Sequence, residues 1–60
     1  MADPHAEVWM ALQALPRPID ASTALATAAT VLDPMGLTQQ FTKWWDDGGN
    51  GDVVLRRLNG

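Results

Sequence analysis

Apolar residues recur along the chain at intervals of three and four, and four segments carry this helical pattern. The first begins at Asp3-Pro4, where an acidic cap precedes a proline at the first helical position. Val8, Trp9, Leu12 and Leu15 follow on one face, His5 projects to the same side, and Met10 points away. Pro16 stops the segment, so the spacing predicts a helix over residues 4–15. Pro16-Arg17-Pro18 is a stiff connector, because neither proline can donate a hydrogen bond and each pushes its predecessor toward extended conformations. Ile19 is expected to fold back as a small anchor. Asp20 or Ser22 then caps a second helix over residues 21–32. Thr23, Thr27 and Thr30 form its polar stripe, and Leu25, Ala28, Ala29 and Leu32 its apolar face, widened by Ala24 and Val31. Such small side chains let neighbouring backbones come close.

The third segment carries the strongest start signal. Asp33 is placed to cap, Pro34 to open the first turn, and Leu32 with Leu37 to close a hydrophobic staple around it. Leu37, Phe41, Trp44 and Trp45 share a narrow face, and Gly48-Gly49 ends the segment, which predicts a helix over residues 34–47. Two of the three Trp and the sole Phe lie here, so the core is expected to form around it, with Phe41 central and one of Trp44 and Trp45 partly exposed. Gly48-Gly49-Asn50-Gly51 reads as a flexible turn. Asp52 then caps a short helix over residues 53–58, where Val54, Leu55 and Leu58 share a side and Arg56 and Arg57 suit the C-terminal dipole. Val-Val-Leu also has strand propensity, which is the competing reading of this last segment. The expected fold is all-α: a small bundle of three to four helices in one domain, with Val8, Trp9, Leu12, Leu15, Leu25, Ala28, Leu32, Leu37, Phe41, Trp45, Val54 and Leu58 as its core.

Composition narrows the picture. Nine of the 28 apolar residues are Ala, so the other nineteen must build most of the core. A chain of 60 residues buries only about 60% of its unfolded surface, which limits stability to about 3–5 kcal/mol. There is no Cys, which removes disulfide and thiolate–zinc readings. No signal peptide is recognisable at the N-terminus, and no apolar run reaches the ~20 residues that span a bilayer, so the expected location is the cytoplasm, with no membrane partner. The net charge is −3, with only four Lys and Arg, a poor footprint for nucleic acid. A helix–turn–helix reading of the second and third helices would present Gln39, Gln40 and Lys43 with little basic support. Six of the seven acids are Asp, several at helix starts, so part of the acidity is capping.

Candidate chemistry is sparse. Asp46 to Arg57 partly fits a calcium-binding loop: Asp46, Asn50, Gly51 and Val53 match, but Gly48 offers no side-chain ligand and Arg57 stands where a bidentate Glu belongs. Asp46 and Asp47 lie at a helix C-terminus, where negative charge is unfavourable. They read either as a solvated turn to which Arg56 or Arg57 folds back, or as a contact surface for a partner. His5 has no second ligand at metal spacing, and the Ser and Thr hydroxyls have no recognisable base. No catalytic residue, cofactor or metal is therefore expected, and no enzyme.

What remains is surface. The sequence predicts a small protein-interaction module, either a docking or adaptor domain or a regulator that occupies a target surface. Its partner-binding residues are expected to be Met10, Trp44, Asp46, Asp47 and Asp52, facing another protein that is basic or carries an apolar groove. The rival readings are a homodimer or larger homo-oligomeric structural protein, a weak nucleic-acid binder and a degenerate calcium-loop protein.

Overall fold

A computed structural model describes residues 3–60. The described residues contain four α-helices: α1 (Pro4–Gln13), α2 (Ala21–Leu32), α3 (Thr38–Asp46) and α4 (Asn50–Asn59). The fold is an all-α bundle, as the periodicity requires.

Helix α1 starts as its sequence dictates. Asp3 is extended, its Oδ1 accepts from the His5 backbone N–H at 3.1 Å, and Pro4 opens the first turn. The helix ends at Gln13 and not at residue 15. Pro16 disfavours helical geometry at Leu15, so the chain must leave the helix earlier. Arg17 satisfies the carbonyls this exposes. Its Nη1 donates to Gln13 O at 2.9 Å and to Leu15 O at 2.6 Å, while Nε donates to Leu58 O at 2.9 Å in α4. One guanidinium thus caps the ends of two helices.

Ile19 is the anchor its position suggests, at 3% exposure. The Asp20 carboxylate caps α2, accepting from the Thr23 N–H at 2.7 Å. Ala24, Ala28 and Leu32, four residues apart, form the buried stripe of α2, and α1 packs on this helix more extensively than any other element does. The alanines allow that approach, and Val8 and Leu12 fill the space above them.

The expected continuous helix over residues 34–47 is not what forms. Asp33–Met35 is a 3-10 turn continuing α2, and Gly36 follows in the left-handed conformation at φ 69°. Leu37 N–H bonds to Leu32 O at 3.2 Å, and Gly36 N–H to Asp33 O at 3.1 Å. These two bonds are the Schellman pattern of a helix end, which also brings together apolar residues at the Leu32 and Leu37 positions. The Asp-Pro pair and its flanking leucines therefore terminate one helix instead of starting the next. Asp33 does not cap α3 in the usual way: the residue before α3 is Leu37, without a side-chain cap, and Asp33 Oδ1 instead accepts from the Thr38 hydroxyl.

Helix α3 ends at Asp46, and Asp47-Gly48-Gly49 makes the turn. Helix α4 then begins three residues before the expected 53, so Asn50 and Gly51 are helical and not part of a flexible turn. Asp52 sits in the first turn, and the cap position belongs to Gly49. The strand alternative does not occur. Asn50 Nδ2 donates to Trp44 O at 2.9 Å, which ties the new helix to the end of the old one.

The buried core is Val8, Leu12, Ile19, Ala24, Ala28, Leu32, Trp45, Val54 and Leu58. Trp9, Leu15, Leu25, Leu37 and Phe41, expected inside, are only partly buried against it. The central buried aromatic is Trp45 at 7% exposure, with Phe41 beside it at a ring-centroid distance of 5.8 Å.

Candidate functional site

Trp9, Leu37 and Phe41 are only partly buried for a common reason. Helices α1, α3 and α4 do not close fully on one another, and an open groove of about 510 Å³ runs between them. Val8 and Trp9 line it from α1, Phe41 and Trp44 from α3, and Val53 and Arg57 from α4. Leu32 and Leu37 lie along it too, so the Schellman turn that ends α2 also supplies part of its apolar surface. Trp44, 44% exposed, and Val53, 59% exposed, leave apolar surface in solvent along it. The rest of the lining is mostly apolar or aromatic.

The aromatic residues of the groove are held in place. Trp9 Nε1 donates to His5 Nε2 at 3.1 Å, and the two rings meet edge-on with centroids 6.5 Å apart. The Arg57 guanidinium lies 5.8 Å from the Trp9 ring centroid, within range of a cation–π contact. Phe41 packs against Trp44 with centroids 5.8 Å apart and planes tilted by 38°. These contacts restrict the rotamers open to Trp9, Phe41 and Trp44.

A smaller pocket of about 310 Å³ adjoins the groove and shares Trp9 and Arg57 with it. Gln13, Arg17 and Leu58 complete it. No Asp or Glu lines either cavity, although the chain carries seven acids.

Of the residues expected to bind a partner, the structure brings only Trp44 to the groove. Among the described residues Met10 is the most open of the large apolar side chains, at 65% exposure, but it lies on α1 outside the groove. Asp46 and Asp47 are exposed around the end of α3, and Asp52 is exposed in the first turn of α4, where its charge suits the helix dipole. None of the three lines the groove. Arg57, considered as a return contact for the acidic turn, lies over Trp9. The calcium-loop reading loses its loop: from Asn50 onward the stretch is helix, leaving only Asp47 to Gly49 as turn.

Trp9, Val53 and Arg57 are groove residues that the sequence reading did not place there. Val53 carried a signal. If Val54, Leu55 and Leu58 face the core, Val53 is left as an apolar residue off that face. Trp9 carried none, since its spacing is that of a core residue. No known protein family matches the chain, and neither a curated protein nor a solved structure is significantly similar to it.

Proposed function

We propose that the chain is a small protein-interaction module, a docking domain or a regulator, that seats an apolar segment of another protein in the groove between α1, α3 and α4. The observation that carries this reading is the groove itself, with Trp44 and Val53 exposed along it. Aromatic anchors held by their neighbours are what small interfaces use for affinity, and Trp is the residue most enriched among them. The acidic turn at Asp46 and Asp47 lies outside the groove and would act as a charged rim, influencing association rate more than affinity.

The test is partner capture from the native host by the wild-type chain and by Trp44→Ala, Val53→Asp and the Asp46→Lys, Asp47→Lys pair. Trp44→Ala and Val53→Asp should each weaken capture about tenfold or more while circular dichroism stays helical. The charge-reversed pair should have a smaller, salt-dependent effect. Capture unaffected by both groove variants would place the interface elsewhere, with the exposed face around Met10 the next to test. Light scattering over a concentration series separates self-association, since a constant monomer mass supports a foreign partner.

A further inference from the structure

The charge around the groove identifies the chemistry of what fills it. The chain is acidic, with a net charge of −3, yet no carboxylate lines the groove or the adjoining pocket, and both arginines of the pocket face that shared space. Arg57 makes no side-chain hydrogen bond among the described residues; its recorded contact is the face of Trp9. Arg17 spends Nε and Nη1 on backbone carbonyls, which leaves its other terminal nitrogen uncommitted among the described residues. A guanidinium offers five N–H donors in a planar fork suited to a carboxylate.

Resting on the reading above, we infer that the groove binds an amphipathic helix of a partner protein that carries an acidic residue beside its apolar face. The apolar residues of that helix fill the groove, and its Asp or Glu meets Arg57 at the mouth of the arginine pocket. A helix is favoured because the chain, all-α among its described residues, presents no strand edge for an extended peptide to join. Helix-in-groove binding needs only apolar anchors at successive turns, which an open trough accommodates. A small molecule is disfavoured for the same openness, because small-molecule sites enclose about 70–90% of their ligand. A second copy of this chain is disfavoured by charge. Seated groove to groove about a twofold axis, it would face Arg57 with a groove lining in which none of the fourteen residues is acidic, so that only carboxylates outside the groove could approach.

Two labelled synthetic helical peptides test this. Both carry Leu at i, i+3, i+4 and i+7; one has Glu at the flanking positions and the other Lys. Binding is followed by fluorescence anisotropy at physiological salt. The overall charge of the chain favours the Lys peptide, so preference for the Glu peptide requires a local cationic site. The Glu peptide should bind about tenfold more tightly to the wild-type chain. Arg57→Gln should abolish the preference and Arg57→Glu reverse it, with helical content unchanged. Equal binding of both peptides, or a preference that survives Arg57→Glu, overturns the charge inference while leaving apolar docking in place. Binding of neither peptide also overturns it, and capture by the Trp44 and Val53 variants then decides the broader reading independently.

Discussion

The indole of Trp45 lies directly against the backbone of Gly51, so close that a Cβ added at position 51 would overlap Nε1 and Cε2 of the ring. This contact joins α3 to α4 and explains why a glycine stands in the first turn of a helix. Two effects of Gly51→Ala oppose each other. Alanine favours a helix over glycine by about 0.8–1 kcal/mol. Forcing a methyl into a packed aromatic contact costs about 1–3 kcal/mol. A rigid indole cannot swing aside as a flexible chain would, so overpacking should win. Urea denaturation should show Gly51→Ala to be destabilised; a more stable variant would mean that Trp45 does not pack on this backbone.

Asn59 forms the second tie. Its Oδ1 accepts from Ile19 N–H at 2.7 Å and its Nδ2 donates to Ile19 O at 2.9 Å, fastening the proline connector to the end of α4. Asn59→Ala leaves both partly buried backbone groups of Ile19 without this partner, at a cost of about 1–3 kcal/mol. Gln39→Ala, on an exposed surface, should fall within about 0.5 kcal/mol of wild type. Equal melting temperatures for the two variants would contradict the clasp.

Capping of α2 carries a pH signature. The Asp20 carboxyl is held below its ordinary value of 3.8 by hydrogen bonds from Thr23, its side chain first and its backbone N–H second. A carboxyl whose native pKa is depressed contributes stability above its unfolded value, and that contribution is lost as pH falls through the native one. Asp20→Ala should therefore lower the melting temperature near neutral pH, with the difference closing as the solution is acidified below pH 3.8. A difference that persists undiminished in acid would show that the charge is not what stabilises the cap.

The all-α fold and the bounds of α2 were legible because they rest on local rules: apolar spacing, Asp caps and proline stops. Two misreadings had physical causes. Asp33-Pro34 with Leu32 and Leu37 satisfies the rules for a helix start, but Gly36 in the left-handed conformation makes the same leucines a Schellman end. Gly51 looks like turn sequence, and only the approach of Trp45 shows why a helix carries it. The groove was harder to see. Trp9 and Phe41 have core spacing, and their half-burial depends on how far α1 stands from α3 and α4, a tertiary quantity that periodicity does not encode. The partial exposure of Trp44 beside buried Trp45 was legible, because a core this small does not cover two adjacent indoles. The double cap by Arg17 depends on Leu58, forty-one residues away, and no local pattern announces it.

The three Trp side chains supply the most direct measurement of the docking claim, because each gives one indole N–H signal. In a nitrogen–proton correlation spectrum, the Glu-bearing amphipathic peptide is titrated into labelled protein. The groove account predicts that the Trp44 signal moves, that the Trp9 signal moves as its bond to His5 and its contact with Arg57 respond, and that buried Trp45 stays nearly fixed. Signals of Trp9 and Trp44 that remain in place up to millimolar peptide, or a perturbation centred on residues around Met10, would contradict it.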